Sequence, residues 1–153
     1  MDPITPARTN VLKRLFCISV TPLASDPRCL TVTAEAVTID LDRAPELAAP
    51  GGSLRLESDL VPDRIIVVHG VDGRFYAYAN HCACGGFRID PVPGEPKIRC
   101  CTLAQSTYDY EGSRISGPAK DSLTTYPVTA EGTTLRIDLA NKREGGGAAV
   151  ARR

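Results

Sequence analysis

No stretch of this 153-residue chain approaches the run of about 20 apolar residues that a membrane-spanning helix requires, so no membrane span is expected. Net charge is also missing: 18 Lys and Arg balance 18 Asp and Glu, which removes the electrostatic case for a nucleic-acid or membrane-surface partner. No internal repeat is visible, and no helical periodicity lasts beyond two turns. The chain has no Ser/His/Asp set, no carboxylate pair in a supporting motif and no phosphate-cradling glycine loop, so catalysis by this chain alone is not expected. Histidine is scarce, at two residues, His69 and His81.

What is there is a series of short apolar runs separated by turn signals, the pattern of an all-β domain. Strands are expected over residues 30–33, 37–41, 53–56, 64–69, 75–79, 98–101, 106–110, 122–129 and 133–139. Asp72-Gly73 is the strongest hairpin signal, and Pro50-Gly51-Gly52, Glu111-Gly112 and Glu131-Gly132 supply further turns. Residues 43–49 have room for a single helical turn before Pro50 ends it. The segment 90–96 has too much proline for a helix or a central strand and reads as an exposed loop.

The length suits one domain. A partly ordered extension is expected over residues 1–30, the domain over 31–140, and a disordered Gly/Ala-rich tail over 141–153. The apolar run after Lys13-Arg14 is short and broken by Pro22, so an export signal is not expected. Six cysteines in a non-secreted chain of ordinary size read as thiols or metal ligands rather than a disulfide framework, with the cytoplasm as the default location.

Four of those six lie within twenty residues, as Cys82-Ala83-Cys84 and Cys100-Cys101, separated by a Gly/Pro-rich stretch. Asn80-His81-Cys82-Ala83-Cys84-Gly85-Gly86 and Cys101-Thr102-Leu103-Ala104-Gln105-Ser106-Thr107-Tyr108 resemble the two ligand loops of the Rieske family, which read Cys-x-His and Cys-x-x-His. The resemblance extends to the hairpin at 71–77, to Gly117-Pro118-Ala119 and to the exit strand at 123–128. It implies an antiparallel Rieske-like sandwich or barrel with a small two-loop cluster-binding subdomain, its loops at 80–91 and 99–109. It also implies a [2Fe-2S] cluster, one-electron transfer to a redox partner protein, and a role as a carrier or subunit of an oxidoreductase system.

The sequence departs from the family at both histidines: Cys84 stands at the first and Ala104 at the second. Carried over residue by residue, Cys82 and Cys101 take the inner iron and Cys84 one position on the outer iron. Cys100 is the favoured fourth ligand and His81 its alternative. Neighbouring residues on a strand face opposite ways, so Cys100 and Cys101 converge only if the strand bends. Ser106 and Tyr108 stand where high-potential members place hydroxyl donors to the cluster sulfurs, although a turn hydroxyl and a packed strand aromatic explain them equally well.

Three cluster-free readings stay open. A Cys82–Cys101 disulfide would make a structural or interaction domain. Zinc would be held by Cys82, Cys84, Cys101 and either Cys100 or His81. Thiol exchange would need Arg88 or Arg99 to favour a thiolate. Cys17 and Cys29, among apolar neighbours, read as buried inert thiols, and His69 as a satisfied strand-end residue.

Overall fold

The computed structural model describes residues 19–61, 63–82, 87–101 and 106–144. The sequence-based expectations for the first 18 residues, the tail from 145, Cys17, Cys84 and Ala104 lie outside the described residues.

The described residues form three four-stranded antiparallel sheets. An outer sheet runs in the order β1 (Leu30–Val32), β2 (Ala36–Asp40), β12 (Thr134–Asp138), β11 (Val128–Glu131). A central sheet runs β10 (Thr125–Tyr126), β5 (Phe75–Ala79), β4 (Ile65–His69), β3 (Ser53–Leu56). The third runs β6 (Ile89–Pro91), β7 (Lys97–Cys100), β8 (Thr107–Asp109), β9 (Arg114–Ser116) and carries both cysteine loops.

The unbroken apolar run of β4 follows from its place in the middle. Ile65 and Val67 enter one core with Val37, Ile39, Leu54, Leu56, Leu135 and Ile137. Ile66 and Val68, on the opposite face, enter a second core with Tyr78, Ile89, Ile98 and Tyr108. Strand β5 divides in the same way, Ala77 and Ala79 to the first core and Tyr78 to the second. Alternation along a strand thus lets the central sheet support both neighbours. Each such aliphatic side chain taken fully out of water stabilises the fold by about 1.5–3 kcal/mol.

The all-β class and its antiparallel sheets match the sequence reading, with differences at particular elements. Residues 122–129 form two strands in different sheets, separated at Pro127, whose missing N–H ends the first ladder. The expected loop at 90–96 begins as strand β6. It tolerates Pro91 because β6 is a sheet edge, and only the turn that follows is exposed, with Gly94 at φ +74°. Strand β9 is not among the expected strands, its three residues being exposed and Ile115 alone apolar. The expected helical turn is a pair of 3₁₀ turns, Leu41–Arg43 and Pro45–Leu47.

The segment before β1 is stitched to the rest of the domain. Asp90 on β6 accepts hydrogen bonds from Ser19 Oγ at 2.5 Å, Thr21 Oγ1 at 2.7 Å, Val20 N at 3.1 Å and Thr21 N at 3.2 Å. On its other side this strap meets β3, where Arg55 Nε donates to Thr21 O at 2.7 Å and Arg55 N donates to Pro22 O at 2.8 Å. It therefore ties the loop-bearing sheet to the central one. Asp90→Ala is expected to lower stability by about 2 kcal/mol, the scale for hydrogen bonds to a charged group. Urea unfolding monitored by tyrosine fluorescence measures this, and an unchanged midpoint would show the strap to be dispensable.

Candidate metal centre

The first loop leaves the central sheet at Ala79. Asn80 is fully buried, donates its backbone N–H to Arg64 O at 2.7 Å, and with its side-chain Oδ1 accepts the N–H of Ile89 at 2.9 Å. That N–H belongs to the outer edge of β6 and has no strand beside it, so the Asn80 amide closes the loop between residues 80 and 89. Within the loop Cys82 N donates to Phe87 O at 2.6 Å.

The second loop leaves β7 after Cys100. Cys100 N donates to Ser106 O and Cys101 N to Arg88 O, both at 2.9 Å. The consecutive carbonyls of Phe87 and Arg88 thus hold the backbones of Cys82 and Cys101 at one end of the sheet. The two cysteines are 1% and 3% exposed. Cys100 is equally buried and shares the second core with Cys82 and Ile98. The N–H groups of Cys100 and Cys101 point to opposite neighbours, as on an extended strand, and the backbone bends at Cys101, just past the end of β7.

Ser106 and Tyr108 are both fully buried. Ser106 Oγ accepts the N–H of Ala119 at 3.0 Å, which leaves its own hydroxyl proton to be donated. This bond fastens the Gly117-Pro118-Ala119 loop to Ser106. Gly117 sits at φ +98°, and a Cβ there would lie 2.4 Å from Ser106 Cα. Both backbone angle and space demand glycine at this point.

Among the described residues neither histidine joins the cysteines. His69 Nδ1 lies 2.9 Å from Leu47 O and its ring stacks on Phe75 with centroids 4.2 Å apart, which is the satisfied strand-end role read from sequence. His81 directs Nε2 toward Asp63 Oδ2 at 3.6 Å. Cys29, in the first core, is buried, and burial followed by nearby acidic groups raises its thiol pKa, which suits an inert thiol. No disulfide joins Cys82 to Cys101, so the link expected under the cluster-free structural reading is not formed. Among the described residues no three His, Cys, Asp or Glu side chains converge as a metal site; Cys84 is outside them.

Three features of this site are not part of the sequence reading. One is the Asn80 clasp. Its Nδ2 is buried without a hydrogen-bond partner, an arrangement that costs about 1–3 kcal/mol. Another is the pair in which Arg88 Nε and Nη2 each donate to Glu57 at 2.8 Å, with Arg55 Nη1 adding a bond to Glu57 Oε2 at 3.2 Å. The Arg88 hydrogen bonds hold the Glu57 carboxyl below its usual range against the opposing effect of burial. Arg88 is in turn held charged, by Glu57 first and with a smaller contribution from Cys101. The third is Phe87, an aromatic 46% exposed where the first loop returns. An amide at a strand-to-loop junction is the local signal that marks Asn80. The Glu57 pair joins residues far apart in sequence and leaves no local signal.

A [2Fe-2S] group needs two donors on each iron. The chain supplies two buried thiols, Cys82 and Cys101, whose backbones are held by adjacent carbonyls, with Ser106, Tyr108 and Asn80 also buried. For the outer iron the histidine pair is replaced in sequence, and His69 and His81 are engaged elsewhere. The donors the loops offer are therefore thiols, and the chain lacks the histidines of the two-Cys, two-His arrangement.

No family model matches the chain. Among curated proteins, it is 33% identical over 91 residues to the 3-phenylpropionate/cinnamic acid dioxygenase ferredoxin subunit of Shigella boydii serotype 4 (strain Sb227), covering 58% of this chain and 82% of the relative. The Escherichia coli (strain K12) subunit of the same name matches with the same identity and coverage. Among solved structures, the ferredoxin of carbazole 1,9a-dioxygenase from Nocardioides aromaticivorans IC177 superposes with a TM-score of 0.51 at 21% identity, over 71% of this chain and 95% of that one. A quaternary ammonium Rieske monooxygenase gives a TM-score of 0.50 at 18% identity, over 61% of this chain and 28% of that one. The structural matches define the class, a Rieske-type fold. The sequence matches go one step further: the chain belongs to the family of Rieske-type ferredoxins.

Two expected outcomes follow from the geometry. Gly117→Ala combines left-handed backbone strain with overpacking against Ser106 and is expected to cost about 2–4 kcal/mol in urea unfolding; a loss below about 0.5 kcal/mol, the level of a neutral surface change, would contradict it. Glu57 has a lowered folded-state pKa, so its contribution is present above the unfolded value of about 4.3 and is lost as pH falls through the folded value. The Glu57→Gln variant is therefore expected to be less stable than the parent near pH 7, with the gap narrowing below pH ~4. An equal gap at both pH values would rule out this linkage.

Proposed function

We propose that the chain is a one-electron carrier that holds a [2Fe-2S] cluster between the two cysteine loops by thiolates and passes electrons to a partner of the oxygenase kind. The observation that carries this reading is the hydrogen-bonded pairing of the Cys82 and Cys101 backbones to the adjacent carbonyls of Phe87 and Arg88, in a chain of the Rieske-type ferredoxin family. The relatives are named as dioxygenase ferredoxin subunits, which supports an oxygenase as the electron acceptor. The thiol-rich composition suits the cytoplasm.

In this reading Cys82 and Cys101 bind the inner iron, Cys84 binds the outer iron, and Cys100 completes the set. Cys100 is supported over His81 by its place in the same buried cluster as Cys82, while His81 faces Asp63. A bend at Cys101, just past the end of β7, supports an approach of side chains from opposite strand faces to one centre. When bound, the cluster supplies a reversible one-electron couple. The chain's own contribution is to exclude water, to neutralise thiolate charge with Arg88, and to aim the Ser106 and Tyr108 hydroxyls at sulfur. Such donors favour the more negative, reduced state.

Anaerobic purification and reconstitution test the proposal. Two irons and two sulfides per chain are expected in a coloured protein. Cys82→Ser or Cys101→Ser should abolish incorporation, Cys100→Ser should lower it, and Cys29→Ser should leave it unchanged. A colourless parent without iron after reducing reconstitution would overturn the proposal, and stoichiometric zinc in its place would favour a tetrahedral site. A second test places His at both Cys84 and Ala104: the Cys84→His/Ala104→His variant is expected to gain a raised, pH-dependent potential, because exposed imidazole ligands couple electron to proton. A cluster indistinguishable from the parent's would show that these residues are not at the outer iron.

A further inference from the structure

The buried amide of Asn80 is used at only one of its two ends. Oδ1 accepts the Ile89 N–H at 2.9 Å, and this fixes which end of the amide is which. Nδ2, in a fully buried residue, has no acceptor. Buried donors are nearly always satisfied in folded proteins, so such a group calls for an explanation. The backbone carbonyls at the base of the loop are already engaged: Arg64 O by Asn80 N, Ala79 O by His81 N, Phe87 O by Cys82 N and Arg88 O by Cys101 N. Sulfur is a further acceptor carried by the same loop. Cys82 is two residues along the same loop, and Ile89, which the amide grips, is the register partner of Cys100.

We propose that Asn80 Nδ2 is a built-in N–H donor for anionic sulfur, a cysteine thiolate or a cluster sulfide, at the inner end of the metal centre, making Asn80 a positioning and potential-setting residue. The inference rests on the [2Fe-2S] reading above. One side chain then does two things. Its oxygen closes the loop by holding Ile89, and its nitrogen offsets the negative charge that accumulates on sulfur when an electron arrives. An N–H aimed at sulfur favours the reduced state, so removing it makes reduction harder.

The test compares the reconstituted parent with Asn80→Leu, which removes both contacts, and Asn80→Asp, which keeps an oxygen for Ile89 and removes the donor. Both variants are expected to have a midpoint potential more negative than the parent's and an iron affinity lower by about 10–100-fold, judged by competition with a chelator. The reading that a merely structural role would not move is vibrational. The Fe–S stretching bands of the parent should shift on transfer to deuterated buffer, and that shift should be smaller in both variants. Variants that match the parent in potential and in deuterium shift, even if less stable, would overturn the inference and leave the cluster reading standing. A parent that takes up no iron would overturn both.

Discussion

Everything distinctive about this domain depends on two neighbouring carbonyls, those of Phe87 and Arg88. The first accepts the N–H of Cys82 and the second the N–H of Cys101, so cysteines 19 residues apart are set at one end of one sheet by backbone geometry alone. The bond to Arg88 also extends the β6–β7 ladder, which makes the position of Cys101 a consequence of strand register rather than loop conformation. Around this pair the chain arranges its remaining controls. Asn80 closes the first loop, Gly117 lets the proline loop lie against Ser106, and Glu57 fixes the Arg88 side chain. Each of these contacts is polar and sits on a sheet whose stability comes from apolar burial on both faces of β4. Packing supplies the platform, and hydrogen bonds set the site upon it.

Much of this was legible from sequence where the signal was local. Short apolar runs between turn signals such as Asp72-Gly73 located the central strands within a residue or two, and the cysteine clusters with the family resemblance located both loops. Signals failed where tertiary context decides. Pro91 argued against a strand, yet an edge strand has an N–H it can spare. Strand β9 presents no buried face and so no pattern. The attachment of the segment from residue 19 leaves no local signal, because it rests on Asp90, whose partners are about seventy residues away in sequence.

The site was legible in its residues and not in their environment. The family resemblance picked out Cys82, Cys101, Ser106 and Tyr108 as candidates, and the structure buries all four. Sequence could not show that His81 faces Asp63, that Cys100 packs in the core with Ile98, or that the Asn80 amide has a spare donor. Those properties arise from the meeting of β5, β6 and β7. On the proposed reading they favour a centre held by thiolates over the family's histidine-ligated arrangement.

The most direct test of that distinction is the midpoint potential of the reconstituted protein measured across the pH range. Thiolates add negative charge to the cluster and carry no ionisable imidazole, so the account predicts a low value, near the −400 mV scale of all-cysteine [2Fe-2S] ferredoxins, that stays flat with pH. A potential within the histidine-ligated range of about −150 to +300 mV, falling as pH rises, would contradict it.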